Sequence, residues 1–175
     1  MTASRTRTIP RWAALALGPF VFLVGVPLVH GVVPWAISLL GHRSGWVDGR
    51  PALWNLVGLL PVCVSVIVII SLLVLGLGLG SQLPESVDLD WSPKALLTSG
   101  PYAISRHPMY VAEVGLWLGW TIFFGSVAVF LGCLLVCIGT SFLAPREERA
   151  LELKFGAAYQ RYKAKVPRWL GKRRA

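Results

Sequence analysis

An arginine and a histidine stand side by side at the threshold of a long apolar run. Arg106-His107-Pro108-Met109-Tyr110 leads directly into Val111 and the residues beyond, and the polar stretch Thr98-Ser99-Gly100-Pro101-Tyr102 precedes it. Two prolines stiffen this segment. Charges at the mouth of a membrane helix are costly and usually functional, so the stretch reads as a site placed where membrane meets water. Glu113, one turn into the apolar run, needs a partner or a task for the same reason. Farther along, Glu147 and Glu148 are adjacent acids ahead of Leu151, Phe155, Ala158, Tyr159 and Tyr162, which recur at helical spacing. On a wheel of about 100° per residue the two acids fall at the edges of that apolar stripe. Acids on the protein-facing side of a helix require partners; the plainer use of such a pair is to cap a helix N-terminus.

The elements that must position these groups are membrane helices. The chain has 175 residues, 55% of them hydrophobic and only 14% charged, a balance typical of membrane spans rather than soluble domains. The net charge of +9 does not point to nucleic acid, because the basic residues flank apolar runs as topology signals and lipid-headgroup contacts do. Cys63, Cys133 and Cys137 all lie inside apolar runs and read as small core residues. No ligand-spaced His or Cys cluster suggests a metal. The N-terminal apolar stretch is too long for a cleaved signal peptide and lacks a clear cleavage site.

Four apolar runs follow one another. The first is Trp12 to Leu40, where Pro27 and Pro34 are expected to kink or end the helix. The second is Leu53 to Leu79. The third starts at Pro108, which suits a first helical turn, and runs to Phe124. Gly125-Ser126 is a minimal turn, and the fourth run is Val127 to Leu143, so the last two form a helical hairpin. An amphipathic helix is expected from Pro145 to Lys165. Four crossings put fifteen of the seventeen Lys and Arg residues on one side and leave Arg43 and Arg50 on the other. The basic side, with both termini and residues 98–110, is then cytoplasmic. The expected fold is all-α: an integral protein of the plasma (inner) membrane with about four transmembrane helices, a C-terminal hairpin and a cytoplasmic amphipathic helix. Residues 1–80 are the N-terminal membrane helices and 81–175 the functional core.

The ordered text Leu97-Thr98-Ser99-Gly100-Pro101-Tyr102, Arg106-His107-Pro108-Met109-Tyr110, Glu147-Glu148, Phe155-Gly156-Ala157-Ala158-Tyr159, Tyr162 and Val166-Pro167 resembles the isoprenylcysteine carboxyl methyltransferase family, within the larger group that includes membrane phospholipid N-methyltransferases. The resemblance implies S-adenosylmethionine as cofactor, in a pocket between hairpin and C-terminal helix, and methyl transfer to a lipophilic or prenylated acceptor arriving from the bilayer. It implies cofactor contacts from Tyr102, His107, Pro108, Tyr110, Glu147 and Glu148. In that setting Glu147 or Glu148 accepts hydrogen bonds from amino or ribose groups or pairs with Arg106. His107 and the backbone near Pro108 sit at an exposed helix N-terminus whose free N–H groups suit a carboxylate, and the rings of Tyr102 and Tyr110 suit adenine or sulfonium. Arg106 and Glu113 are the candidate catalytic residues and are expected to converge on the reacting end of the acceptor: Arg106 by gripping a carboxylate, Glu113 by taking a proton from an amine.

Two features depart from the pattern. Ala112 stands where much of the family has glycine, and Glu113 follows it. Arg-His-Pro-x-Tyr-x-x-Glu is also similar to membrane sterol reductases, which bind NADPH; the Glu147-Glu148 pair favours the methyltransferase. A non-enzymatic lipid-binding membrane protein would explain the spans and charge but not the motif set. Gly76, Gly78 and Gly80 resemble a glycine-rich cofactor element of phospholipid methyltransferases, although glycines at a helix end more often break or closely pack it.

Overall fold

The computed structural model describes residues 8–80, 86–88 and 95–171. Arg5, Arg7, Glu85, Asp90 and Lys94, which entered the charge reading, lie outside the described residues, as do Lys172 to Arg174.

The chain is mostly helical. Strand β1 (Thr8–Pro10) precedes α1 (Arg11–Phe20), and two π-helical turns, Val21–Gly25 and Leu28–Val32, carry the chain into α2 (Val33–Ser38). The helical path therefore continues past both prolines. Proline lacks an N–H, so Pro34 cannot donate to the carbonyl of His30 four residues back. The turn widens instead, Val33 N–H reaches the Leu28 carbonyl, and the indole N–H of Trp120 takes the carbonyl of His30. A small ribbon of β2 (Trp46–Val47) and β3 (Arg50–Pro51) leads to α3 (Leu53–Leu56) and α4 (Leu59–Gly80). Strand β4 (Ser86–Asp88) pairs antiparallel with β1. The hairpin is α5 (Pro108–Phe124) and α6 (Val127–Phe155), and α7 (Ala157–Lys165) ends the fold.

The 24-residue stretch Leu53–Gly76 and the 29-residue α6 are long and apolar enough to cross a membrane. At 17 residues, α5 is about 25 Å long, against a hydrocarbon layer of about 30 Å. Leu60 and Ile67 on α4, and Leu135 and Phe142 on α6, are more than 60% exposed. So wide an apolar surface is a liability in water and is suited to lipid tails.

Small residues bring α4 and α5 together. A Cβ on Gly119 would strike Val62 and the Gly58 carbonyl, one on Gly58 would strike the Gly119 carbonyl, and one on Gly115 would strike Ser65. Such stripes let membrane helices approach closely where no hydrophobic driving force separates protein from lipid. The hairpin turn is set by Gly125, which holds a left-handed conformation (φ 56°) and leaves no room for a side chain against Ser44. Ser126 then caps α6 by accepting from Val129 N–H.

The expected single amphipathic helix from Pro145 to Lys165 is two pieces. α6 runs straight through Pro145 to Phe155, and Gly156, at φ 50° and ψ −127°, turns the chain before α7. Only glycine adopts that backbone without strain. Glu147 and Glu148 consequently lie deep inside α6, far from its first turn, and do not cap it.

Candidate functional site

The threshold of α5 is held by the end of the chain. Arg106 N–H donates to the Pro167 carbonyl at 3.0 Å. Ser105 Oγ donates to the Arg168 carbonyl at 3.0 Å and accepts from His107 N–H at 3.1 Å. Tyr162, on α7, donates to the Tyr102 carbonyl at 2.8 Å. Tyr159, Tyr162 and Val166 form an apolar cluster beneath these bonds, packed on Leu96, Leu151 and Phe155. Leu151, Phe155, Tyr159 and Tyr162 of the apolar stripe read from the sequence thus pack together with Leu96 and Val166, while Ala158 stays exposed. This packing fixes residues 105–107 beside residues 167–168.

Glu148 is the electrostatic centre. Its side chain is 3% exposed, and Arg168 clasps it with Nε and Nη2 at 2.8 and 2.9 Å. Arg106 Nη2 lies at 3.3 Å, His107 Nε2 also at 3.3 Å. Burial pushes the Glu148 carboxyl up, and Arg168, Arg106 and His107 together outweigh it, leaving it below the ordinary carboxylate range. Arg168 is raised in turn by its bond to Glu148. A buried carboxylate with this many donors is fully occupied.

Glu147 is different. Half of its side chain is exposed; Oε2 lies 3.4 Å from His107 Nδ1, and Oε1 accepts from the Tyr110 hydroxyl. The bond with His107 lowers its carboxyl, burial opposes this, and Tyr110 lowers it further. The His107 and Tyr110 rings lie nearly parallel, with centroids 5.5 Å apart, and Trp169 stands 5.8 Å from His107 on another side. Tyr102 is half-buried near Glu147, and its phenol is raised by burial and by that charge. Pro108 is buried at the first turn of α5.

Arg106 keeps capacity in reserve. Among the described residues its Nε and Nη1 are buried with no acceptor in hydrogen-bond geometry, and the Tyr159 hydroxyl, likewise without one, lies close beside the guanidinium. Burial pushes that phenol up to about 12, with Glu148 adding and Arg106 opposing. Glu113 belongs elsewhere: its Oε1 faces His30 Nε2 at 3.8 Å. Arg106 and Glu113, expected to converge, take separate partners: Arg106 turns to Glu148 and Glu113 to His30. Among the described residues a Cβ at Gly76 would meet nothing within 4 Å, so that glycine is not a close-packing contact there.

Sequence reasoning missed Arg168, Trp169 and His30. Arg168 stands among the basic residues that flank the apolar runs, although it directly follows the Val166-Pro167 step of the motif. His30 is a lone histidine in an apolar run, with no local signal beyond Pro34 four residues later.

A Haemophilus influenzae protein described as uncharacterized is 41% identical over 63 residues, which is 35% of this chain and the whole of that protein. No solved structure matches. The phospholipid methyltransferase family model matches residues 64–158, starting inside α4 and taking in the α5–α6 hairpin, the glutamate pair and the start of α7. That is more than half of the chain, and the chain belongs to the phospholipid methyltransferase family.

Proposed function

We propose that this protein transfers a methyl group from S-adenosylmethionine to a lipophilic acceptor at the cytoplasmic face of the membrane. The observation that carries this reading is the pairing of opposite reserves around the His107–Tyr110 stack. Arg106 holds two buried donors with no acceptor among the described residues, and Glu147 holds a half-exposed carboxylate. The donor is a zwitterion with a carboxylate, an ammonium and a sulfonium, and each reserve suits one sign of charge. Arg106, with the N–H groups at the start of α5, would hold the carboxylate. Glu147 would accept hydrogen bonds from the ammonium or ribose, and the rings of His107, Tyr110 and Tyr102 would flank the cationic and aromatic parts. Glu148 acts through Arg106, Arg168 and His107 as a positioning residue. When bound, the cofactor supplies an electrophilic methyl carbon. Positioning by the surrounding side chains then accounts for much of the rate.

Glu147 alone among these charges counts against a dinucleotide, whose phosphates it would repel; Arg106 would accept phosphate as readily as carboxylate. The reading includes four crossings with both termini cytoplasmic, and reporter fusions at the two ends test it; ends on opposite sides would remove the four-crossing count. Motifs across residues 97–167 support an isoprenylcysteine-type carboxylate as acceptor, and family membership supports a phospholipid amine. The two differ in whether the acceptor must first lose a proton. Calorimetry of the purified protein with S-adenosylhomocysteine and, separately, NADPH tests the cofactor. Binding of the first alone is expected; binding of NADPH alone would overturn the reading.

A further inference from the structure

One side of α6 faces outward along its whole length. Leu135 and Phe142 are 69% and 67% exposed, and the same side continues past Pro145 as Arg146, Arg149 and Leu153. On a helical wheel these five positions fall within about 60° of one another. Cys133, Thr140, Ala144 and Glu148 lie on the opposite side and are buried against the protein. Both arginines are exposed, and Leu153 is 90% exposed. With 29 residues, α6 is about 43 Å long, the thickness of a bilayer with its headgroups rather than of its hydrocarbon alone. With its apolar part in the hydrocarbon, it carries Arg146 and Arg149 into the headgroup layer on the side where Glu147 and Glu148 sit.

These two arginines are uncommitted. Among the described residues the neighbouring acids are taken: Glu147 by His107 and Tyr110, Glu148 by Arg168, Arg106 and His107, Glu152 by Lys163. Arg146 and Arg149 stand three residues apart, so they are neighbours on the helix surface. A guanidinium takes two phosphate oxygens with parallel N–H bonds. A zwitterionic headgroup brings its own cation to its phosphate; an anionic one does not, and basic residues near it gain accordingly. Pro145 gives the contact a consequence. Lacking an N–H, it cannot bond the Ser141 carbonyl, so the last turns of α6 are joined to the span by one backbone bond fewer. Those turns carry Glu147 to His107 and Glu148 to Arg168.

We infer that Arg146 and Arg149 bind the phosphates of anionic phospholipid, and that this grip holds the end of α6 at the angle that aligns Glu147 and Glu148. Anionic lipid thereby tightens cofactor binding. The lipid contact stands on the helix alone; its effect on the cofactor rests on the methyltransferase reading.

Native mass spectrometry of the full chain released from mixed phosphatidylcholine–phosphatidylglycerol nanodiscs reads the lipid preference. Phosphatidylglycerol is expected to be retained over phosphatidylcholine. Changing Arg146→Gln and Arg149→Gln together should reduce that preference by roughly fivefold for each arginine, the size of its attraction to an anionic surface. Arg161→Gln with Lys165→Gln, which removes as much charge from exposed positions of α7, should leave it in place. Calorimetry in discs of either lipid alone reads the coupling. S-adenosylhomocysteine should bind the parent about fivefold tighter in phosphatidylglycerol, the lower end of such couplings, and should bind the chain without Arg146 and Arg149 equally in both. No preference in the parent, a preference that survives loss of both arginines, or one lost equally with Arg161 and Lys165, overturns the lipid contact. A preference that stands while S-adenosylhomocysteine binds the parent equally in both lipids overturns the coupling. Dimers in the same spectra, dissolved by Leu153→Glu, would assign this side to a second copy and overturn the inference. Failure of the parent to bind S-adenosylhomocysteine in either disc would sink the methyltransferase reading and leave the lipid contact to be decided by the spectra.

Discussion

Arg168 grips Glu148 with two parallel N–H bonds, although the two residues come from different elements and one of them is almost fully buried. The planar fork of arginine makes both bonds at once; lysine makes only one. Arg168→Lys is expected to weaken S-adenosylhomocysteine binding by roughly tenfold, the effect of about 1.4 kcal/mol. Calorimetry on the purified variant reads this, and parent-like affinity would show that the clasp does not position the site.

The two glutamates should separate on substitution. Glu147→Gln removes a half-exposed charge, so stability should hold while cofactor binding falls by about tenfold or more, the worth of one charge-assisted hydrogen bond. Glu148→Gln leaves Arg106 buried beside a neutral amide, and should cost about 3 kcal/mol of stability. Thermal unfolding run alongside calorimetry distinguishes them. Equal behaviour in both assays would contradict the division of roles.

Both carboxyls titrate below their ordinary range in the folded protein. A lowered folded value means that folding favours the ionised form, so this stability is present above the unfolded pKa of about 4.3. It is lost as pH falls below that through the folded values. Residues 157–169 should therefore become protease-sensitive on acidification, before the membrane helices melt. The Glu148→Gln variant should show a much weaker acid dependence in the same digestion.

Gly119→Leu should destabilise the protein by about 3 kcal/mol, the upper range for overpacking a close contact. The Gly58 carbonyl it would strike is backbone and cannot swing aside. Gly76→Ala, in open space, should be silent in the same thermal assay.

The parts of the fold legible beforehand were those with local punctuation. Pro108 opens α5 and Gly125-Ser126 closes the hairpin, because both positions demand special backbone chemistry. The break at Gly156 was hidden because apolar spacing ran evenly through it, and a periodicity cannot show a turn that preserves the buried face. Glu147 and Glu148 were found as acids needing partners, but the partners lay beyond reach. Arg168 looked like its basic neighbours until tertiary contact set it against Glu148. His30 acquired its role only through Trp117 and Trp120, nearly ninety residues away in the chain.

The strapping of residues 105–107 to residues 167–168 also sets when the site comes into being. Synthesis proceeds from the N-terminus, so α4 and α5 can reach the membrane while Arg168 is still inside the ribosome. Until it emerges, Arg106 and His107 lack the backbone bonds to residues 167–168 that align them. Much of the membrane part is thus in place before the binding part, and a chain cut short ahead of Arg168 would lodge in the bilayer with its threshold residues unaligned.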